Sequence, residues 1–315
     1  MTALPRLSLG LPVYNGEEYL AESLDALLGQ SYGDFELVIS DNASSDGTEE
    51  ICRQYAEKDT RIRYVRQPVN IGATPNHNYL FEVCRTELFK WVSHDDLYGR
   101  DLLLRCVEAL DERPHMVVAH CGTAIIDGAG EVTQVFDYRI RTDSPYPPDR
   151  FLSLLFEPGG DDFYGVIRSD VLRRVTPMNS YHHADRTYVA ELALHGPFHQ
   201  VPELLYFRRD HPHRAERANP TIRSRCANLD PRRADRLRNP AVRLLGEYVL
   251  GFVTAIQRAP LSTSERRQCY RHLWTWASSR ARARGERIED RAPTATPEEA
   301  LTVGALVAGQ EGRIA

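Results

Sequence analysis

Two adjacent acids, Asp95 and Asp96, follow an apolar run at residues 88–92. A short run of aromatic and aliphatic residues of this kind is typical of a buried strand. Acids at the carboxyl end of a strand lie where open α/β sheets bind their ligands. Two carboxylates there could hold a hard cation such as magnesium or manganese. The alternative is that they only cap the helix predicted to begin near Asp101.

The sequence around these acids alternates short apolar strands with helical patterns. Strands are predicted at residues 7–13, 35–40, 62–65, 88–92 and 116–119, and helices at 17–28, 48–57, 75–83 and 101–110. Strands that alternate with helices at this spacing form a sheet with its helices on both sides. The pattern therefore predicts an α/β fold with a mostly parallel sheet and helices on both faces.

The pattern changes after residue 126, where residues 127–130 predict a hairpin turn. Strands at 163–168 and 198–201 are expected on either side of a helix at about 185–194. We predict three regions, which are an α/β domain at 1–212, an Arg-rich flexible loop at 213–239 and a C-terminal helical extension at 240–315.

The composition narrows the class of protein. Hydrophobic residues make up 42% of the chain and charged residues 26%, which is typical of a soluble globular protein. The net charge of -5 argues against a nucleic-acid partner, because such binders usually carry a basic excess. Residues 1–7 lack the pattern of a secretory signal, so we expect a cytoplasmic protein. Six scattered cysteines predict buried, reduced thiols.

Four short motifs occur in a fixed order along the first hundred residues. They are Pro12-Val13-Tyr14-Asn15, residues 40–48 (Ser-Asp-Asn-Ala-Ser-Ser-Asp-Gly-Thr), Asn70-Ile71-Gly72 and Ser93-His94-Asp95-Asp96. Together they resemble the inverting glycosyltransferases of family 2, which have the Rossmann-like GT-A fold of nucleotide-diphospho-sugar transferases. The resemblance covers about residues 5–211. Ser93 stands where the Asp-x-Asp pattern of the family has its first acid.

The resemblance implies a divalent metal, Mn²⁺ or Mg²⁺, that is held by carboxylates together with the donor diphosphate. Asp96 is the expected direct ligand, Asp95 is expected near the metal and the sugar or ribose, and His211 would complete the metal site or touch a phosphate. Tyr14 is expected to stack on the nucleobase, or to be plain packing, and Asp41 to accept the imide hydrogen of uracil or thymine. The full set of expected nucleotide-sugar contacts is Pro12, Tyr14, Asn15, Asp41, Asn70, Gly72, His77, Asp95 and Arg209.

Inverting transfer also needs a base that takes the proton of the acceptor hydroxyl. The resemblance places that acid at Asp185, and the alternative is a helix cap without a chemical role. The implied donor is a UDP-sugar, with dTDP- and GDP-sugars as alternatives. The implied acceptor is a sugar, a lipid-linked molecule or a small molecule in polysaccharide, cell-envelope or natural-product glycoside synthesis.

Two other functions compete with sugar transfer. A sugar nucleotidyltransferase of related fold would need a basic, Gly-rich loop after the first strand, and residues 11–18 contain one glycine and no basic residue. A non-catalytic nucleotide-sugar-binding module would keep the fold without turnover, and the retention of Asp95, Asp96 and Asp185 argues against it.

The C-terminal extension allows several interpretations. Leu244, Tyr248, Val249 and Phe252 recur at helical spacing and predict packing on the first domain. Its arginines could face the inner surface of a membrane as a peripheral contact; they are Arg266, Arg267, Arg271, Arg280, Arg282 and Arg284. A solvated helix face, or a homodimer surface that contains Trp274 and Trp276, explains the same residues equally well.

Overall fold

The computed structural model describes residues 4–136, 140–157 and 161–282. Its strands belong to one sheet, and all of them except β7 follow the spatial order β3-β2-β1-β4-β8-β6-β9-β5, while β7 pairs with β6. The strands are β1 (Leu7–Val13), β2 (Phe35–Asp41), β3 (Ile62–Arg66), β4 (Leu88–Trp91), β5 (Leu97–Tyr98), β6 (Val118–Ile126), β7 (Val132–Phe136), β8 (Val166–Arg168) and β9 (Phe198–Arg209).

The four neighbouring strands β3, β2, β1 and β4 run parallel, so their carboxyl ends meet at one edge of the sheet. Strands β6 and β9 are also parallel, whereas β5, β7 and β8 run antiparallel to their neighbours. The predicted turn at 127–130 joins β6 to β7, and the amide of Asp127 donates to the carbonyl of Glu131 at 2.9 Å. The predicted α/β class is confirmed.

Helices cover the sheet. They are α1 (Leu20–Leu28), α2 (Thr48–Lys58), α3 (Ala73–Val83), α4 (Leu102–Glu112), α5 (Pro147–Phe156), α6 (Ser169–Leu172), α7 (Ala184–His195), α8 (Ala215–Ala218), α9 (Ile222–Leu229), α10 (Ala241–Arg258) and α11 (Thr263–Arg282). The prediction of one strand at 163–168 was wrong in its first half, because Asp161–Tyr164 forms a 3₁₀ turn before β8.

The segment at 213–239, predicted as a loop, contains α8, α9 and a further 3₁₀ turn at Pro231–Ala234. The prediction of a loop without helices was therefore wrong. Thr221 and Ser224 form a capping box at the start of α9, and Cys226 within α9 is fully buried. One buried face and one cap stabilise this short helix although its other positions are rich in arginine.

The C-terminal helices share the core of the first domain. Phe252 of α10 packs edge to face on Phe151 of α5, with ring centroids 5.9 Å apart. Trp276 of α11 is only 7% exposed and contacts Phe252 and Tyr248. The predicted packing of α10 on the first domain is therefore confirmed. Trp276 cannot belong to a dimer surface, because it lies in the core of its own chain.

The remaining expectations concern the cysteines, the helices and the C-terminal extension. All six cysteines are buried and free of disulfides, as predicted. Within the described ranges, no helix combines the length and the apolar character that crossing a bilayer requires. The predicted contact at Arg284 and the predicted extension beyond residue 282 lie outside the described residues. The division into three regions stays a prediction.

Candidate active site at the carboxyl edge of the parallel strands

The loop after β1 is fixed to the loop after β2. The amide of Asn15 donates to Ser44 Oγ at 2.9 Å, and Asn15 Oδ1 accepts from the amide of Ser45 at 2.8 Å. Asn15 has a φ of 51°, a left-handed conformation that asparagine tolerates. These contacts leave the neighbouring Tyr14 ring 45% exposed at the edge of the sheet, whereas Pro12 is partly buried within β1. An exposed ring in this position is available for stacking.

Asp41 lies at the end of β2 and is completely buried. Its Oδ1 accepts from the amide of Ser44 at 2.8 Å. Its Oδ2 accepts from Tyr64 Oη at 2.8 Å and from Arg66 Nη1 at 2.6 Å. These three hydrogen bonds leave Asp41 capacity for one more, but the residue is completely buried, so a nucleobase could reach it only if a neighbour such as the partly exposed Arg66 moved.

Asn70 and Gly72 shape the turn that precedes α3. Asn70 Oδ1 accepts from Asn42 Nδ2 at 3.0 Å and from the amide of Gly72 at 2.9 Å. Gly72 has a φ of +93°, and a Cβ added there would lie 2.6 Å from the carbonyl oxygen of Leu229. This glycine is therefore required where the turn meets the end of α9. Both residues hold the turn in place through their own contacts.

Asp95 and His211 form a buried pair beyond the end of β4. His211 Nε2 lies 3.0 Å from Asp95 Oδ2, and Ser93 Oγ donates to Asp95 Oδ1. Burial acts to raise the pKa of the Asp95 carboxyl, but the His94 imidazole and the hydrogen bonds from His211 and Ser93 hold that pKa below its usual value. The Asp95 carboxylate is therefore charged at neutral pH.

Asp96 has a different environment although it is the next residue. It is 2% exposed, its Oδ1 accepts from the amide of Arg209 at 2.9 Å, and its Oδ2 accepts from Tyr206 Oη. Burial and the charge of Asp95 raise the pKa of Asp96 to about 7. Both of its oxygens are engaged with β9, just as both oxygens of Asp95 are engaged with Ser93 and His211, so these contacts do not test the expected role of Asp96 as the direct metal ligand.

Arg209 is a structural residue in this arrangement. Its side chain is 1% exposed and donates to the carbonyl oxygen of Asp95 at 2.9 Å, to the carbonyl oxygen of Gly128 at 3.0 Å and to Glu22 Oε2 at 2.6 Å. Its guanidinium also lies 4.6 Å from the centroid of the Tyr19 ring. These partners occupy donors of Arg209 within the protein, and the expected contact between Arg209 and the nucleotide-sugar stays a prediction.

Arg214 is a candidate that the sequence did not reveal. Its Nη1 donates to the carbonyl oxygen of Arg209 at 2.6 Å. Burial lowers the pKa of its guanidinium, but the charges of Asp96 and Asp95 outweigh burial and raise that pKa. This cation therefore lies in the field of both acids. No motif marks it, and its position after His211 would have been the only signal.

Tyr19 and Tyr206 were also missed. The Tyr19 ring packs edge-on against His211, with ring centroids 4.8 Å apart. Tyr206 donates to Asp96 and stacks on Tyr98, with ring centroids 5.9 Å apart. Each tyrosine orients a residue of the site by packing or by one hydrogen bond, and such a role leaves no spacing pattern in the sequence.

His77 lies in α3 at the border of the site. Its Nδ1 is 2.8 Å from the carbonyl oxygen of Ala73, and its own carbonyl accepts from Trp91 Nε1 at 3.3 Å. Burial lowers the pKa of the imidazole to about 4. His77 is therefore neutral at physiological pH, and its expected donor contact would be made by an uncharged ring.

Asp185 is the second residue of α7 and is exposed. The preceding His183 has a φ of 62°, which turns the chain sharply into the helix. A helix cap does not explain Asp185, because His183 is the N-cap residue and no side chain caps the helix. As an acid in the first turn of α7, Asp185 still has a structural role at the positive end of the helix, so its catalytic role stays a prediction.

The donor atoms near Asp95 fit a manganese or magnesium ion. No group of three or more His, Cys, Asp or Glu ligands occurs within the described parts of the chain, so the protein would supply Asp95 and His211. One or two protein ligands completed by substrate phosphates and water are usual for such ions. His211 Nε2 lies 3.0 Å from Asp95 Oδ2 and would have to give up that hydrogen bond to bind a metal ion, whereas Nδ1 is buried and lacks a hydrogen-bond partner among the described residues.

The sequence profile described as "Glycosyl transferase family 2" matches residues 8–175, which is more than half of the chain. The chain belongs to glycosyltransferase family 2. An uncharacterized glycosyltransferase of Rickettsia typhi is 31% identical over 156 residues, a match that covers 49% of this chain and 46% of the relative. Matches to the first four curated relatives span only 22% to 46% of their lengths.

Solved structures support the same fold for this family 2 member. TarS of S. aureus superposes with a TM-score of 0.63 and 17% identity, over 90% of this chain and 46% of TarS. The mannosyltransferase PcManGT of Pyrobaculum calidifontis, solved with GDP-Man and Mn²⁺, gives a TM-score of 0.53 and 19% identity over 98% of this chain and 82% of PcManGT. A shorter form of TarS was solved with UDP. The fold is the GT-A fold, as predicted.

Proposed function

We propose that this protein is a metal-dependent inverting glycosyltransferase that moves a sugar from a nucleotide-diphospho-sugar to an acceptor hydroxyl. The observation that carries the proposal is the buried Asp95–His211 pair at the carboxyl edge of the parallel strands, with Arg214 beside it. Family membership and the exposed Tyr14 ring support the same function. A UDP-sugar is the favoured donor, and the dTDP- and GDP-sugars are the alternatives.

Asp95 and His211 would hold the metal, and a bound divalent ion would offset the negative charge of the donor diphosphate. The expectation of Asp96 as the direct ligand is untested, and we prefer Asp95 because its carboxylate is charged, whereas burial and the charge of Asp95 raise the pKa of Asp96 to about 7. Asp96 instead fixes the end of β9, because it accepts from Tyr206 and from the amide of Arg209. It thereby positions the chain that leads to His211.

In the proposed reaction, Asp185 accepts the proton of the acceptor hydroxyl while the oxygen forms a bond to the anomeric carbon. The bond between that carbon and the donor diphosphate breaks, and the nucleoside diphosphate leaves with the bonding electrons. Arg214 would stabilise the negative charge that grows on the leaving group, because a cation fixed in position stabilises charge that develops in the transition state. Attack from the side opposite the leaving group inverts the anomeric centre.

A thermal-shift series tests the assignment of the metal ligands. The wild type, Asp95→Asn and Asp96→Asn are melted with UDP, dTDP or GDP, each with and without manganese, because a ligand of the folded state raises the melting temperature. We expect UDP with manganese to give the largest shift, and Asp95→Asn to lose the part that requires manganese. Asp96→Asn should instead lower the melting temperature without ligand, since a hydrogen-bond acceptor for β9 is lost.

The exposed Asp34→Asn serves as the matched control, and it should behave as the wild type does. A manganese-dependent shift that survives in Asp95→Asn and disappears in Asp96→Asn would show that Asp96 is the direct metal ligand. A shift of the same size in all four proteins would place the metal elsewhere. Release of UDP from UDP-sugars in the presence of acceptors then tests turnover.

A further inference from the structure

A cavity of about 200 Å³ lies between α7, the loop before it and the C-terminal helix α10. Every residue that lines it comes after residue 175, where the match to the family profile ends. From α7, the lining contains Ala184, Thr187, Tyr188 and Glu191, whose spacing places them on one face of the helix. None of the residues assigned above to the donor or to catalysis lines this cavity.

Glu191 is the residue of this cavity that has an oxygen available to accept a hydrogen bond from a ligand. It is 3% exposed, and its Oε1 accepts from the amide of Thr176 at 3.1 Å and from Thr176 Oγ1 at 3.2 Å. Arg258 Nε lies 3.3 Å from the same oxygen. The other oxygen, Oε2, has no hydrogen-bond partner among the described residues. Oε2 is not among the buried atoms that lack a partner in the described part of the chain, so it is open to the cavity that Glu191 lines. It can accept a hydrogen bond there from water or from a hydroxyl of a bound molecule.

The charges around the cavity are balanced. Glu191 pairs with Arg258, while Glu247 pairs with Arg233 and also with Arg243, whose Nε lies 3.0 Å from Glu247 Oε1. Each carboxylate thus already has a cation, and an ionic ligand would gain little from either. The occupant that fits is neutral and supplies hydroxyl donors.

The walls of the cavity are partly aromatic. Tyr181 and Tyr188 are both buried, and Tyr181 Oη lies 2.7 Å from Thr187 Oγ1. Gly251 of α10 lies so close that an added Cβ would be 2.0 Å from Tyr181 Oη. The volume equals that of about six or seven water molecules, which is the size of a single sugar ring. Apolar walls with a few placed polar groups are typical of small-molecule sites.

The position of the cavity connects it with the predicted base. Ala184 lines the cavity at the first residue of α7, and Asp185 is the next residue. Met178 and Asn179 of the loop are held from the other side by α3, through Asn78 and Thr74. A ligand in the cavity would therefore lie against the first turn of α7, which also carries Asp185, and against a loop that α3 holds in place, although the Asp185 side chain does not line the cavity.

We propose that this cavity binds a neutral, hydroxyl-rich ring, and that it holds a sugar unit of the acceptor. Glu191 Oε2 accepts a hydrogen bond from a ring hydroxyl, and the tyrosines pack on the ring. The acceptor role rests on the proposed transferase function, whereas the binding of the ring does not. The C-terminal helix α10 is thus part of the substrate site as well as of the core.

Two variants test the cavity with methyl glycosides of glucose, galactose, mannose and N-acetylglucosamine as probes. In Glu191→Gln, the side-chain oxygen must remain at the position of Oε1, where it accepts from Thr176. The amide nitrogen therefore takes the position of Oε2, and a hydrogen-bond donor replaces an acceptor there. Thr254→Phe fills the cavity, and Gln257→Phe adds the same ring to the exposed side of α10 as the control. Binding is measured by saturation-transfer NMR, and folding by circular dichroism.

We expect at least one glycoside to bind to the wild type and to Gln257→Phe, and to bind at least tenfold more weakly to both cavity variants. Should Thr254→Phe fail to fold, Glu191→Gln alone decides. The proposal is overturned if no glycoside binds to the wild type, or if binding survives unchanged in Glu191→Gln. The shift of the wild type with UDP and manganese reports the donor site separately. Glycoside binding without that shift would refute the transferase function and leave the cavity assignment standing.

Discussion

We call the loops after β1, β2 and β4 the donor side and the helices α7 and α10 the acceptor side, after the roles proposed for them, and the two regions differ in their hydrogen bonding. On the donor side, Asp41 and Asp96 each use both oxygens in hydrogen bonds within the protein. On the acceptor side, Glu191 keeps one oxygen without a protein donor and Asp185 is exposed. The carboxylates of the donor side are thus held by the protein itself, whereas the acceptor side, under our proposal, would be completed by a ligand.

This difference has a physical reason. A diphosphate bound through a metal requires ligands that are already in position, because rearranging charged groups during the reaction would raise the barrier. An acceptor contributes a neutral hydroxyl, so its site needs fewer fixed charges and more shape. Four substitutions test whether the two regions differ in this way.

Asp185→Asn should give the largest effect, because it removes the proposed base from the acceptor side. We expect kcat for sugar transfer to fall about 10²- to 10⁴-fold, while the thermal shift with UDP and manganese stays as in the wild type. Asp170→Asn, another exposed acid in the first turn of a helix, is the control. Equal loss of donor binding and of transfer in Asp185→Asn would show that the two sides are not separate.

Trp276→Ala should lower the free energy of unfolding by about 3–5 kcal/mol, because it leaves a cavity beside Phe252 and Tyr248. Trp274, which is 76% exposed, supplies the control on the same helix. Trp274→Ala should change the free energy by less than about 0.5 kcal/mol. Denaturant titration measures both. If the two variants lose the same stability, α11 does not pack on the acceptor side as described.

Gly72→Ala tests the junction between the donor side and α9. The variant places a side chain in a left-handed conformation and against the Leu229 carbonyl, so we expect the free energy of unfolding to fall by about 1–3 kcal/mol. Gly33→Ala is the matched control, since nothing lies within 4 Å of its added Cβ. A loss of UDP binding larger than the loss of stability would show that α9 also shapes the donor side.

The buried imidazole of His77 should make the free energy of unfolding depend on pH. Its pKa is lowered to about 4 by burial, so its stabilising effect is complete above the pKa of about 6.5 in the unfolded chain and is lost as the pH falls toward 4. At about pH 5 the loss is up to about 2 kcal/mol, because each pKa unit corresponds to about 1.4 kcal/mol. His77→Gln should show less loss of stability between pH 7 and pH 5 than the wild type.

The exposed His115→Gln provides the comparison, and its loss of stability between pH 7 and pH 5 should equal that of the wild type. Denaturant titrations at both pH values give the free energies. A wild type and a His77→Gln variant with identical acid sensitivity would mean that the His77 imidazole is solvated in the folded protein.

The position of the motifs at one edge of the sheet could be predicted from the sequence, because each motif follows a strand that is recognisable by its apolar residues. The roles of Asp95 and Asp96 could not be separated, because adjacent side chains in a loop point in directions that depend on contacts with β9, more than a hundred residues later. Arg209 and Arg214 look alike in the sequence, and only the fold shows that the partners of Arg209 occupy its donors.

The acceptor side left fewer signals. Its cavity combines one face of α7 with a loop and with α10, and these segments share no motif. The helices at 215–218 and 222–229 were missed because arginine covers their exposed positions and a single buried cysteine carries little periodicity. Sequence patterns thus reveal sites built around strand ends more readily than sites built between helices.

Strand β9 lies between β6 and β5 in the sheet, yet it follows the end of the family match in the sequence. A shortened gene product that stopped at residue 175 would leave β6 with a bare row of amide and carbonyl groups and would deprive β5 of its neighbour. Such exposed rows recruit other chains. Crystallographers and engineers who trim this protein to its recognisable part should therefore anticipate aggregates, and should retain at least the whole of β9.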